Sequence, residues 1–230
     1  MSTFGTYSIA YSGMYVNQAA LATTSTNLAN VDTTGASKVE LASAELATVN
    51  ADGTATGDGV SVASITRSRD IYLDGTYRSQ NAKATYLSVK NGDLEYIDEI
   101  LSEYETSSTT DDSDTTTTTS GVQAAIDEFF SAWETVSTDS STESTREAVI
   151  SAGADLVEML SDIDGQLQQL QADAVTGVKD GVDTLNDLAG QVADLNKQIS
   201  QAEAGGGEAS YLRDQRDVLL DQMSALADIS

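Results

Sequence analysis

The sequence predicts a mainly α-helical protein, a long antiparallel helical bundle or coiled-coil rod with a small β-hairpin near its N-terminus. The 230 residues contain no proline, so no residue with a fixed φ forces a helix to break. Apolar residues recur at spacings of three and four over most of the chain, which is the period of an amphipathic helix. One β-branched run, bordered by Gly and Asp, departs from that period and indicates a pair of strands.

The first segment, residues 1–35, predicts a helix with an uncharged face. No charged residue precedes Asp32, and apolar or small polar residues alternate spacings of four and three. This heptad seam consists of Tyr7, Tyr11, Met14, Gln18, Leu21, Ser25 and Leu28. Polar residues interrupt every apolar run, so the segment fits neither a transmembrane helix nor a cleavable secretory signal. An uncharged face of this kind requires another helix to cover it.

Residues 36–70 predict a β-hairpin. A loosely alternating stretch, Lys38 to Val49, precedes a loop rich in Gly and Asp, and a β-branched run that begins at Val60 follows the loop. The Ala-rich residues 41–47 could equally extend a helix, and this alternative stays open at the level of sequence.

Residues 71–105 predict a second helix, and residues 106–120 predict a linker. The apolar stripe of the helix consists of Leu87, Leu94, Ile97, Leu101 and Tyr104. The linker contains a run of threonines together with three aspartates, a composition that cannot bury a core. We expect the linker to be solvated and mobile.

Residues 121–230 predict a helical rod domain. A short amphipathic helix that holds Trp133, the only tryptophan, comes first. A long helix over residues 146–203 follows, about 85 Å in length at about 1.5 Å per residue, with one slip of register near Gly177 to Gly181. After three consecutive glycines, a last helix over residues 208–229 should fold back antiparallel on the long one, because the connecting loop is short.

Charge is distributed unevenly, which argues against nucleic acid and anionic membranes as partners. The chain has 11 Lys and Arg against 37 Asp and Glu, a formal net charge of −26. Residues 1–90 hold six of the bases and seven of the acids, whereas residues 91–230 hold five bases and 30 acids. Such a field repels phosphates and acidic headgroups. We therefore expect no nucleic-acid partner and no membrane insertion.

Cysteine and histidine are both absent, and this argues against an enzyme. Their absence removes thiolate nucleophiles, thiolate metal sites and the usual general base near neutral pH. The densest acidic groups, Asp162 with Asp164 and Asp111 with Asp112 and Asp114, lack the spacing of a calcium-binding loop. We therefore predict no catalytic, cofactor-binding or metal-binding residue, and no cofactor.

Two stretches resemble the bacterial flagellar axial proteins, the family of rod, hook and hook-associated proteins. The first is Ala20 to Gly35, in which Asn27-Leu28-Ala29-Asn30 precedes a Thr-Gly turn. The second is Leu212 to Ser224, which contains Asp214-Gln215-Arg216-Asp217 and is similar to a helix of the hook-associated members at the hook–filament junction. The run Phe129-Phe130-Ser131-Ala132-Trp133 and the order of the predicted elements are similar to those members as well.

The resemblance implies a structural adaptor at the hook–filament junction, exported by the flagellar type III system and polymerised into the axial tube. The implied partners are further copies of the chain, the hook protein, the second junction protein and an export chaperone. Members of the family are longer and carry a C-terminal helix that pairs with the N-terminal one. The chain is therefore expected to correspond to an N-terminal portion.

Under this resemblance, residues 1–35 are the axial helix of the inner tube, disordered in the monomer until neighbours cover it. The expected interface residues are Tyr7, Tyr11, Met14, Leu21, Leu28, Asn27 and Asn30. Two alternatives stay open: a flagellar hook or rod protein, and a secreted acidic coiled-coil adhesin or effector.

Overall fold

The computed structural model describes residues 3–49, 53–101, 106–107, 117–118, 121–138 and 142–229. The elements in these ranges are α1 (Thr3–Ala29), β1 (Val39–Val49), β2 (Ala55–Arg67), α2 (Ile71–Leu101), β3 (Thr106–Ser107), β4 (Thr117–Thr118), α3 (Val122–Thr138), α4 (Glu143–Glu203) and α5 (Ser210–Ser224). The predicted fold class, mainly helical with a small hairpin near the N-terminus, is confirmed. The chain divides into two compact units, one of Met1–Ala84 with Asp183–Ser230 and one of Thr85–Val182.

Strands β1 and β2 form the predicted hairpin. They pair antiparallel from Val39 opposite Arg67 to Val49 opposite Ala55, with two shifts of register along the ladder. The helical alternative for residues 41–47 is wrong, because the β-branched strand β2 supplies a full set of backbone partners for this segment. Residues 50–52 of the connecting loop lie outside the described residues.

Helix α1 packs on the hairpin through a face of mostly small residues. Val16 is buried on this face, and Ser12 Oγ accepts a 3.1 Å hydrogen bond from the backbone N–H of Val60. Gly59 of β2, at φ +120°, lies so close to α1 that an added Cβ would be 2.2 Å from Ser12 Oγ. A glycine suits this position, because φ is positive and an added Cβ would displace Ser12 Oγ from its bond with the Val60 N–H.

Helix α4 is a single helix of 61 residues, slightly longer than the predicted span of 146–203. No break occurs at Gly177 to Gly181, where the sequence indicates a slip of register. A change in the phase of the apolar stripe does not require a break in the backbone, because every residue here can keep helical dihedrals.

Helix α5 folds back on α4 as predicted, although it is shorter than the predicted 208–229. Arg213 contacts Glu203, and three residues further along α5, Arg216 contacts Asn196, seven residues earlier on α4. The two helices are therefore antiparallel. Leu188 and Ile199 are buried on α4 within the same compact unit.

The second compact unit contains the aromatic residues of α3. Phe129 makes edge contacts with Phe130 and Trp133, with ring centroids 5.5 and 6.5 Å apart. Gly153 of α4 lies against the same ring, since an added Cβ there would be 3.3 Å from Phe129 Cε2. Phe129 is thus the ring that packs within this unit, whereas Phe130 and Trp133 are 63% and 51% exposed.

The predicted boundaries of α2 and the linker fall partly on residues that are not described. Helix α2 begins at Ile71 as predicted, and residues 102–105 of its predicted end lie outside the described residues. Within the predicted linker of residues 106–120, strand β3 pairs antiparallel with β4 over two residues each. The remaining linker positions lie outside the described residues. Within the described ranges, no helix has the length and apolarity needed to span a bilayer.

Candidate assembly interface

The predicted heptad seam lies on the face of α1 that points away from the hairpin. We call Tyr7, Tyr11, Met14, Leu21 and Leu28 the outer face. These side chains are solvent-exposed, with 70% of Tyr7, 68% of Leu21 and 73% of Leu28 accessible. Monomeric proteins rarely leave a continuous apolar stripe open to water, so this face is suited to contact with another chain or helix.

Asn27, a predicted interface residue, does not share the outer face. Its side-chain amide donates a 2.8 Å hydrogen bond to the carbonyl oxygen of Val39, and its Oδ1 accepts a 2.9 Å bond from the Val39 N–H. Asn27 therefore joins the end of α1 to the first residue of β1. Its part in a subunit contact stays a prediction, and its described contacts are within the chain.

Asn30, also a predicted interface residue, organises the turn after α1. Its Nδ2 donates to the carbonyl oxygen of Thr26 at 3.1 Å, and its Oδ1 accepts from Thr33 Oγ1 at 3.3 Å. The side chain is exposed. A direct contact of Asn30 with a neighbour therefore stays a prediction.

The Thr-Gly turn packs directly on α5. Gly35 has φ +81°, and an added Cβ would be 2.0 Å from Val218 Cγ2. Two residues later, Ser37 donates from its backbone N–H and from Oγ to the carboxylate of Asp214, at 3.1 and 2.6 Å. The first stretch that resembles flagellar axial proteins, with Ser37 just beyond it, and the second stretch therefore form one junction, although Ser37 and Asp214 are 177 residues apart.

Arginines from β2 and α2 hold the aspartates of α5. Arg67 Nη1 donates to Asp214 at 2.7 Å and to Asp217 at 2.8 Å, and Asp217 is only 5% exposed. Arg78 Nε donates to Asp221 at 2.8 Å. We call these residues, with Arg69, the arginine–aspartate cluster. It ties the end of the hairpin and the start of α2 to one face of α5.

Further contacts orient the cluster. Arg69 forms a two-pronged ion pair with Asp74, at 2.9 and 2.7 Å, and this pair lowers the pKa of the Asp74 carboxyl. Ser224 is fully buried and accepts a 2.9 Å hydrogen bond from Asn81 Nδ2. A planar guanidinium suits such paired carboxylate contacts, so arginine is the favoured base in each position.

Electrostatic effects stabilise the charged forms at this junction. Burial lowers the pKa of the Arg67 guanidinium, but its hydrogen bonds to Asp214 and Asp217 outweigh burial and raise the pKa overall. Hydrogen bonds from Arg213 and from the Ala209 N–H lower the pKa of Glu203 to about 2. Of these groups, Arg67 and its partner Asp217 are withdrawn from water, so they must stay paired, since loss of one partner leaves the other uncompensated.

A groove of about 1090 Å³ lies beside the junction. Its walls come from the end of α1, the Thr-Gly turn, α4 and α5, and they include Val31, Leu195 and Val218. Among the described residues, no group of three or more acidic side chains is arranged to hold a metal ion. The carboxylates of the cluster face arginines instead.

The sequence prediction of site residues missed the arginine–aspartate cluster. The sequence does contain a pattern that indicates the acidic half of this cluster. Asp214, Asp217 and Asp221 share one face of a helix, because they are spaced three and four residues apart. Arg67, Arg69 and Arg78 lie close together in the part of the chain, residues 1–90, that holds six of the 11 bases. Their pairing with α5 depends on tertiary structure, which periodicity does not reveal.

Comparison with known protein families finds a match for each of the two stretches that form the junction. Residues 107–230, more than half of the chain, match the family described as "Flagellar hook-associated protein FlgK helical domain". The chain belongs to this family. Residues 8–36, which carry the outer face except Tyr7 and include the Thr-Gly turn, match the family described as "Flagella basal body rod protein".

Curated relatives agree with this family. The chain is 34% identical to flagellar hook-associated protein 1 of Bacillus subtilis, over 99% of this chain and 44% of the relative. It is 27% identical to the protein of that name from Escherichia coli and 25% identical to the one from Salmonella typhimurium, each over 96% of this chain and 38% of the relative. The chain thus spans less than half the length of these FlgK-family relatives.

Proposed function

We propose that this FlgK-family chain is a structural subunit of the bacterial flagellum, an adaptor at the hook–filament junction that polymerises into the axial tube. The observation that carries the proposal is the exposed, uncharged outer face of α1. Such a stripe requires cover, which the resemblance assigns to neighbouring subunits and to the C-terminal helix of family members.

The junction around α5 gives this role a mechanical basis. The Thr-Gly turn, the end of the hairpin and the start of α2 are each bonded to α5 through Asp214, Asp217 or Asp221. A force applied to α1 therefore reaches α5 through buried, ion-paired contacts rather than through a flexible loop. Such contacts resist shear because their geometry is directional.

The outer face is the proposed surface for contact with other subunits, and Asn27 and Asn30 set its orientation. Asn27 fixes α1 to the hairpin, and Asn30 shapes the turn that docks on α5. The proposed partners are further copies of the chain and the neighbouring axial proteins, namely the hook protein and the second junction protein. The proposal also includes export of the chain by the flagellar type III system and binding of an export chaperone to it.

Electron microscopy of cells that lack the gene tests the position in the flagellum. Intact hooks without filaments are the expected result. Cells without hooks would instead indicate a rod or hook subunit, and normal flagella would refute both roles. Restoration of filaments by the intact gene, and not by a gene with Leu21→Glu, would connect the phenotype to the outer face.

Limited proteolysis tests the proposal that residues 1–35 are disordered in the isolated monomer. Early cleavage within this segment in solution, with protection of the same bonds in assembled flagella, would support the proposal, whereas the packing of α1 on the hairpin and of Gly35 on α5 favours resistance in both states. A protease-resistant segment 1–30 in the monomer would contradict the proposal.

A further inference from the structure

The long helix α4 is packed in two separate parts. Buried or half-buried side chains lie on one face of residues 145–170 and again on one face of residues 181–203, where Leu188 and Ile199 are buried. Between the two parts, every residue of 171–180 is exposed. In the part of the chain that the structure describes, α4 therefore lacks in its middle the packed face from which most helical stability comes.

The composition of the same stretch is also unfavourable to a helix. Residues 175–184 read Val-Thr-Gly-Val-Lys-Asp-Gly-Val-Asp-Thr, and Lys179 alone among them has a high helix propensity. Valine and threonine are stiff at χ1, and a helical glycine loses more backbone entropy than alanine. Thr176 Oγ1 donates a 3.0 Å hydrogen bond to the carbonyl oxygen of Ala172, a contact that weakens and bends helices. We call residues 175–184 the central segment.

Packing does not explain the two glycines of the central segment. A Cβ added to Gly177 or Gly181 would have no described atom within 4 Å, apart from the helix's own backbone and the adjacent residues. Glycines elsewhere in the chain do have a packing reason, since an added Cβ would contact Val218 at Gly35 and Phe129 at Gly153. What glycine provides in the central segment is therefore backbone freedom.

We propose that the central segment is a flexible joint in α4, at which the helix opens locally and bends while the packed parts on either side stay folded. Exposure, low helix propensity and glycines that packing does not explain coincide there, and the apolar stripe slips in register at the same place. The division of the chain into two compact units, after Val182, falls within the segment as well. Local opening is expected where few buried contacts hold a segment.

Hydrogen exchange of the 230-residue chain tests the local opening. Amides of the central segment should have protection factors at least about tenfold lower than those of both packed parts, because local opening requires less free energy than loss of a packed face. Gly177→Ala combined with Gly181→Ala should raise protection in the segment by about tenfold, since alanine removes the entropic cost of two helical glycines.

The matched control is Gly165→Ala combined with Gly190→Ala. These two glycines also lie in α4, and an added Cβ at either would again have open space around it among the described residues. They lie outside the central segment, so the control should change protection of that segment by less than about twofold.

Distances between spin labels test the bending directly. The chain contains no cysteine, so labels attach only at introduced cysteines. Gln168→Cys with Asp187→Cys brackets the central segment, and Glu147→Cys with Gln166→Cys spans the same 19 residues within one packed part, roughly 28 Å in a straight helix. The pair that brackets the segment should give the broader distance distribution. The double alanine variant of the central segment should narrow it to the width of the other pair.

Three results would overturn the joint. The first is equal protection along the whole of α4, and the second is a distance distribution across the central segment as narrow as that of the other pair. The third is an equal gain of protection there from the control glycines, which would indicate a general effect of helix propensity. The proposal does not require that the chain polymerises, so its failure would leave the proposed function in place.

Discussion

The junction at α5 and the outer face of α1 distribute charge and apolar surface in opposite ways. At α5, aspartates and arginines are buried and paired, and Asp217 is 5% exposed. On the outer face, tyrosine and leucine side chains are in water. The difference separates two tasks. Paired buried charges fix one geometry inside the subunit, and exposed apolar residues leave a surface for assembly.

The largest expected loss of stability follows from removing a charge at the junction. Asp217→Asn should lower the free energy of unfolding by about 3 kcal/mol, since it removes the charge of the buried carboxylate that Arg67, Arg69 and Arg78 share. Asp187→Asn, at an exposed site on α4, is the control and should change it by less than about 0.5 kcal/mol. Hydrogen exchange of the α5 amides measures the local effect in a chain with two compact units. Equal protection in both variants would mean that the cluster does not stabilise the junction.

The next effect concerns the turn that meets α5. Gly35→Ala should destabilise the same unit by about 2 kcal/mol, because φ is positive and the new Cβ would overlap Val218. Gly190→Ala, in an open helical position, should instead stabilise α4 by about 0.5–1 kcal/mol. Thermal unfolding of the two variants should therefore shift in opposite directions. A shift of both in the same direction would refute close packing of the turn on α5.

A smaller effect depends on pH. The pKa of Glu203 is lowered to about 2 in the folded chain, so its contribution is present above the ordinary value of 4.5 and is lost as pH falls towards 2. Glu203→Gln should be less stable than the unaltered chain at pH 6, and the difference should shrink below about pH 4.5 and disappear only as pH falls through about 2. Denaturant titrations at several pH values measure this. A difference that persists at low pH would mean that the ion pair with Arg213 is not its source.

The smallest expected effect on folding is at the outer face. Leu21→Glu should change the free energy of unfolding by less than about 0.5 kcal/mol, because the side chain is already 68% exposed. The same variant should fail to enter flagella, whereas Ile150→Glu should be incorporated normally. Quantification of the subunit in isolated flagella gives the result. A large loss of stability with Leu21→Glu would show that the face is covered within the chain, and normal incorporation would remove it from the assembly interface.

The hairpin illustrates where sequence information becomes ambiguous. Residues 41–47 carry enough alanine to suit a helix, and only pairing with β2 makes them a strand, because strand preference depends on the cross-strand partner.

Asn27 presents the same difficulty. Its place in the Asn-Leu-Ala-Asn motif suggested a role in the subunit interface, yet its described bonds are to Val39. A motif identifies an important residue without identifying what it contacts.

The sequence by itself determined the helical class, the order of the elements and the outer face of α1, because each of these depends on local periodicity and on the absence of proline and of charge. Only the tertiary structure decided that the Thr-Gly turn and the Asp-Gln-Arg-Asp helix meet, and that Arg67, Arg69 and Arg78 hold the aspartates of α5. Those contacts join residues more than a hundred positions apart in the chain. Their distances depend on how whole elements pack, and no local pattern contains that information.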